Sequence, residues 1–116
     1  MTISSNETII VFNHHGMGDA DNELQLVLAG KYLSLLLDGG LLPGAMCFYA
    51  DGVKLVVEGS PVLPQLRELE AKGVHLVVCS TCLAFYGLTD KVQAGIVGGM
   101  TDIIEAQFKA SKVITL

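Results

Sequence analysis

Apolar residues fall in five short runs, rich in β-branched side chains, separated by longer stretches with helical spacing and by glycine turns. The runs are Thr8–Asn13, Ala45–Tyr49, Val74–Cys79, Gln93–Val97 and Val113–Leu116. In the third, five of six residues are apolar and three are valine, the pattern of a strand buried on both faces. The fourth, interrupted by Gly95, is the weakest strand signal.

Between the runs the period changes. A helix is predicted from about Asn22 to Leu37, with Asp21 as its cap and Glu23 in its first turn. Glu23, Lys31, Ser34 and Asp38 fall in one narrow polar stripe, while seven leucines spread over most of the remaining circumference. So wide an apolar surface predicts packing on a sheet and against a second subunit. Gly39-Gly40 stops this helix, and Pro43-Gly44 makes a turn. After Asp51-Gly52, the segment Val53–Glu58 has an ambiguous period and is read as a short helix. Ser60-Pro61 opens the next helix, Leu63, Leu66 and Leu69 give it a buried face, and Lys72-Gly73 ends it. The last helix is predicted from Thr101, as cap, to about Ala110.

Strand–helix alternation with buried strands implies a single α/β domain over residues 1–116, a three-layer α/β/α arrangement with a mainly parallel sheet of about five strands. Right-handed crossovers gather the loops that follow the strands at the carboxyl edge of such a sheet. His14, His15, Asp51, Cys79, Cys82, Gly98 and Gly99 all lie in those loops or at their starts, so topology alone predicts one shared rim. His14, His15, Asp51, Gly98 and Gly99 are the candidates for lining a substrate there.

Composition narrows the function classes. Hydrophobic residues make up 51% of the chain and charged residues 16%, too few charges to cover a monomer easily. A homo-oligomer is therefore expected. A formal net charge of -5 and the absence of any basic run argue against nucleic-acid or acidic-membrane partners. The polar Met1–Thr8 stretch does not read as a signal peptide, and no apolar run is long enough for a membrane span. With three cysteines, an odd number, the expectation is a reducing cytoplasm, not a disulfide scaffold.

Candidate chemistry centres on Cys79 and Cys82. Cys79 ends the third strand; Ser80 or Thr81 can cap a helical turn over Cys82–Tyr86, which Gly87 stops. A helix N-terminus favours a thiolate, and a thiolate is the attacking species in thiol and persulfide exchange. A second reading makes both cysteines small buried residues at a tight turn. A zinc site needs four ligands, whereas there is one Cys-x-x-Cys, and the adjacent His14 and His15 tend to point apart. Gly16-Met17-Gly18 lacks a third glycine at position 21, where Asp21 would repel a phosphate. No metal and no cofactor are called for. His14 or His15 could supply a cation beside Cys79. Cys47, in mid-strand, reads as core. His75 reads as a satisfied core or rim residue.

The chain resembles the DsrE/DsrF-like family, and within it the C-terminal domain of YedF-like proteins, described as sulfurtransferase-like and linked to selenium metabolism. The resemblance rests on Glu23-Leu24, Gly52-Val53-Lys54-Leu55, Glu58-Gly59-Ser60, Leu66, Leu69-Glu70 and Gly73-Val74, then on Cys79-x-Thr81-Cys82-Leu83 before Tyr86-Gly87-Leu88. It continues through Asp90-Lys91, Gly95, Met100 and the Val113–Leu116 tail. In sulfur-relay members a persulfide-forming cysteine ends this strand, eight residues before a glycine; Cys79 and Gly87 match that spacing. The resemblance thus implies a sulfur or selenium carrier using Cys79 with Cys82 assisting, a donor or acceptor carrier protein as partner, and a homotrimer or homohexamer. It also leaves a competing class, a non-catalytic oligomeric binding or regulatory module with structural cysteines. His14-His15-Gly16 and Gly98-Gly99 depart from the loops usual in the family.

Overall fold

The computed structural model describes residues 7–116. Five strands, β1 (Thr8–Phe12), β2 (Ala45–Phe48), β3 (His75–Cys79), β4 (Ile96–Gly98) and β5 (Lys112–Thr115), form one all-parallel sheet in the order β4-β3-β2-β1-β5. Four helices connect them: α1 (Asn22–Gly39), α2 (Leu63–Ala71), α3 (Ser80–Phe85) and α4 (Met100–Lys109). The predicted three-layer α/β/α architecture is the observed one.

The strand order decides which helix lies where. From β1 to β4 each strand is laid beside the last in one direction, so right-handed crossovers put α1 and α2 on one face. The chain then returns from one edge to the other, and the same rule sends α4 to the opposite face. Register and pleat agree. Ile10 and Ile114 share a hollow with Tyr32 and Leu36 of α1, whereas Ile9, Ala45 and His75 share a groove with Ala106 and Lys109 of α4. On the α1/α2 side Phe12 and Phe48 stack with ring centroids 5.4 Å apart, above fully buried Leu66, Leu69 and Leu83. Cys47 is fully buried, and burial pushes its thiol up to about 11, consistent with a packing role.

Element boundaries shift where local signals competed. Val53–Glu58 is not a helix of its own. Ala50–Leu55 forms a 3-10 turn, after which Val57 pairs with Val92 in an isolated antiparallel bridge. That bridge explains the β-branched residues that blurred the period. The α2 helix begins at Leu63, so Pro64, not Pro61, occupies its first turn, where the missing N–H costs no intrahelical bond. Strand β4 is Ile96–Gly98, with Gly95 before it. The α4 helix is capped from Gly99, whose N–H donates to Asp102 Oδ2 at 2.9 Å, and Thr101 lies inside the helix. His75 is exposed at the amino end of β3, not packed into the core.

Of the glycines, Gly52 leaves the least room for a side chain. A Cβ placed there would lie 2.0 Å from the Phe12 carbonyl oxygen. The turn after β2 can therefore close over the end of β1 only with glycine at this position. Gly52→Ala should cost about 3 kcal/mol, the upper end of ordinary overpacking, because backbone and not a flexible side chain must move. Urea unfolding of the two proteins checks it; equal midpoints would show that the turn is free to shift.

Candidate functional site

The carboxyl edge of the sheet brings together most of the residues expected there. Cys79 is the last residue of β3 and also the N-cap of α3. The helix thus starts at Ser80, two residues earlier than predicted, and Ser80 and Thr81 are part of it instead of capping it. Cys82 then falls in the first turn, and Phe85 and Tyr86 follow it at the i+3 and i+4 positions of the same helical face. Cys79 pairs in register with Gly98 of the edge strand β4. A Cβ on Gly98 would lie 2.8 Å from Asp102 Oδ2, so the glycine leaves room for the carboxylate that caps α4. Gly99 supplies the capped N–H.

The two thiols differ in access. Cys79 is 1% exposed, whereas Cys82 is half-buried. The backbone N–H of Ala50 donates to Cys82 Sγ at 3.1 Å. Ala50 is the one non-glycine residue with positive φ among those described, at +51°, a conformation that costs an L-residue about 1–2 kcal/mol. Strain of this kind, placed beside a reactive side chain, is characteristic of functional sites. Burial holds the Cys82 thiol above its ordinary value, the Ala50 N–H works against that, and the neighbouring Cys79 thiol adds to it. A thiolate favoured at rest is therefore not what this helix start provides for Cys82.

Beside the thiols stands a charged and aromatic cluster. The Tyr86 hydroxyl donates to Asp51 Oδ1 at 2.8 Å, and Lys54 Nζ lies 3.0 Å from the same oxygen and 4.4 Å from the Tyr86 ring centroid. The Tyr86 hydroxyl, followed by Lys54, holds Asp51 below the usual carboxylate value, and the bond to Asp51 raises Tyr86. An open cleft of about 460 Å³ adjoins them, lined by His15, Lys54, Val57, Glu58, Gly59, Ser60, Tyr86 and Leu88. Burial, then the charge of Lys54, lowers His15, so it faces this cleft as a neutral imidazole and not as the expected cation. The cation of the rim is Lys54, which spacing did not single out. Tyr86 was predicted only as the last residue of the helical turn that Gly87 stops. Ala50 carries no sequence signal at all, since its contribution is a backbone N–H.

The adjacent histidines part as expected. His14 Nδ1 lies 3.3 Å from the Leu116 carbonyl oxygen, which ties it to the β5 side of the sheet and away from the thiols. The loop carrying His15 is held by Asn22, whose Nδ2 donates to the His15 carbonyl at 2.7 Å, and by buried Gln25, whose Nε2 donates to the Gly18 carbonyl at 3.0 Å. Among the described residues, no group of three or more His, Cys, Asp or Glu side chains is placed to hold a metal ion. Nor is any described helix long and apolar enough to cross a membrane.

An all-parallel α/β/α sheet of five strands, with a dithiol at the carboxyl end of its third strand, defines the class of this protein. The DsrE/DsrF-like family profile matches residues 7–116, and the chain belongs to that family, which is linked to sulfur relay. No curated protein matches it. Among solved structures it is similar to the YchN protein of E. coli, with a TM-score of 0.67 at 19% identity over 94% of this chain and 98% of that one. It is also similar to MTH1491 of Methanobacterium thermoautotrophicum, a protein of unknown function (TM-score 0.66, 19% identity, 94% and 97% covered). A third is BT1422 of Bacteroides thetaiotaomicron, a conserved protein of unknown function (TM-score 0.68, 15% identity, both chains covered in full). At these identities the likeness is one of fold.

The raised Cys82 thiol has a consequence for pH. Its native alkylation by iodoacetamide should have a rate–pH midpoint above that of the same cysteine in the unfolded chain, because folding favours the protonated form. A native midpoint below the unfolded one would mean that the Ala50 N–H outweighs burial.

Proposed function

We propose that this protein is a sulfane-sulfur carrier of the sulfurtransferase-like kind, holding a persulfide on Cys79 with Cys82 assisting. The observation that carries the reading is the pair of free thiols at the carboxyl rim, one ending β3 and one in the first turn of α3, in a family linked to sulfur relay. A thiolate attacks the outer sulfur of a persulfide donor, keeps it as –S–SH and releases the donor thiolate; a later acceptor thiolate removes it again. Thiolates of higher pKa are rarer but more nucleophilic, so a raised thiol pKa slows uptake at neutral pH without abolishing it.

The likeness of Cys79-x-Thr81-Cys82-Leu83 to the YedF-like branch extends the reading to selenium, whose zero-valent form, the outer atom of an R–S–SeH donor, undergoes the same exchange. Asp51, Lys54, Tyr86, His15 and the Gly98-Gly99 turn would border the incoming donor, and no cofactor is needed for the transfer. A donor or acceptor carrier protein is the partner that fits, and a reducing, cytoplasmic setting keeps the pair as thiols.

The same reading includes assembly as a trimer or a dimer of trimers. Leu24, Val27 and Leu35 of α1 and Met100, Ile104 and Phe108 of α4 are exposed, Phe108 at 86%. Apolar stripes of this extent on two helices are what subunit contacts cover. The α4 side is the more open one, because a single short helix covers it.

Two measurements check the proposal. Incubation with cysteine persulfide, followed by intact mass spectrometry, should add the mass of one sulfur to the parent and none to the Cys79→Ala/Cys82→Ala double variant. A parent that gains nothing would favour the non-catalytic binding module. Sedimentation should give a trimer or hexamer, and Ile104→Glu with Phe108→Glu should lower that state. A parent that sediments as a monomer at micromolar concentration would remove the assembly.

A further inference from the structure

The division of labour between the two thiols follows from their access. An exchange at sulfur needs the attacking, central and leaving sulfur atoms nearly in line, so the donor must occupy open space directly beyond the attacking Sγ. Cys79 has no such space. It is 1% exposed and pairs with Gly98 of β4, on the same sheet face as His75 and Val77, the face that α4 covers. Cys82 does have it. It is half-buried, it stands on the same helical face as Phe85, 83% exposed, and Tyr86, 37% exposed, and the rings of those two meet edge to face at 5.2 Å. This aromatic ledge and the adjoining cleft are where a donor can lie. The Ala50 N–H, 3.1 Å from Cys82 Sγ, is also placed to offset negative charge on that sulfur as it attacks and again as it leaves.

Resting on the persulfide reading above, we propose that Cys82 is the thiol that takes sulfur from the donor, and that it hands the sulfur inward to Cys79, which stores it away from solvent. In the first step Cys82 gives its proton to solvent, and its thiolate attacks the outer sulfur of R–S–SH. The Cys82–S bond forms, the S–S bond of the donor breaks, and R–S⁻ leaves and is protonated by solvent. In the second step Cys79 attacks the outer sulfur of Cys82–S–SH, and its proton passes to the Cys82 sulfur as that sulfur is released. One S–S bond forms and one breaks, giving Cys79–S–SH and free Cys82. Each step exchanges one S–S bond for another, so no external oxidant or reductant enters. Attack by Cys79 on the inner sulfur would instead release sulfide and leave a Cys79–Cys82 disulfide, with the sulfane sulfur reduced and the two cysteines oxidised; that is loss of cargo, not transfer.

The order is read by kinetics and by protection. Parent, Cys79→Ala and Cys82→Ala are incubated with cysteine persulfide, followed by intact mass, then challenged with cyanide, which strips sulfane sulfur from exposed persulfides. Cys82→Ala should load about ten-fold more slowly than the parent or worse, since both of its remaining thiols, Cys79 and Cys47, are buried. Cys79→Ala should still take up one sulfur but surrender it to cyanide about ten-fold faster than the loaded parent, because the sulfur then stays at the rim. Cys82→Ala loading at the parent rate, or equal cyanide sensitivity of the parent and Cys79→Ala, would overturn the order while leaving the carrier function intact. A parent that takes up no sulfur would defeat the carrier reading itself. Should Cys79→Ala fail to fold by circular dichroism, limiting iodoacetamide on the native parent decides. Fragment masses should place the first alkyl group on Cys82; a first label on Cys79 would overturn the proposal.

Discussion

The rim depends on the parallel pairing of β2 between β1 and β3. That pairing, Ile9–Phe12 on Ala45–Phe48 on His75–Val78, buries both faces of the central strands and leaves no freedom of register, since a one-residue slip would turn Met46, Phe48, Leu76 and Val78 away from the core. A fixed register fixes the level at which each strand ends. The loops after β1, β2 and β3 therefore start side by side, and the turn after β2 comes down onto the end of β1 at Gly52. From there the chain has little choice. Ala50 sits with its N–H on Cys82, and Asp51 within reach of Tyr86 and Lys54.

Two physical effects oppose each other around the thiols. Burial beneath the rim disfavours a thiolate at Cys82, while the backbone N–H of Ala50 favours negative charge on its sulfur. Lys54 is engaged by Asp51 and by the Tyr86 ring. The outcome is a Cys82 thiol held toward its protonated form and partly open to solvent, beside a Cys79 thiol that is shielded. That asymmetry suits a carrier, whose cargo must be admitted at one atom and kept from water at another.

The surface carries the other consequence of topology. Three successive crossovers in one direction put α1, α2 and the short α3 on one face, and one return crossover gives the opposite face only α4. Ten residues of helix cannot cover five strands. The result is exposed Ile96 and Val113 on the sheet and exposed Met100, Ile104 and Phe108 on the helix. The apolar excess in the composition is thus spread over both layers, and the leucine-rich stripe of α1 accounts for only part of it.

The sequence by itself determined the number of strands, their parallel direction and the rim on which Cys79, Cys82, Asp51, Gly98 and Gly99 meet. β-branched runs, helical spacing and the handedness of crossovers are local or topological constraints, and they survive without knowledge of packing. It also placed Cys47 in the core and separated His14 from His15. It misplaced the starts of α2, α3 and α4, because Ser60-Pro61, Ser80-Thr81 and Thr101 are each adequate caps and only packing chooses among neighbouring ones. It did not see Ala50, Lys54 or Tyr86 as a group, since a backbone N–H has no residue signature and the other two meet Asp51 only across folded chain. Nor could it rank the two thiols by access. Burial at Cys79 is set by Gly98 and α4, elements distant in sequence, so only the tertiary structure decided which sulfur faces solvent.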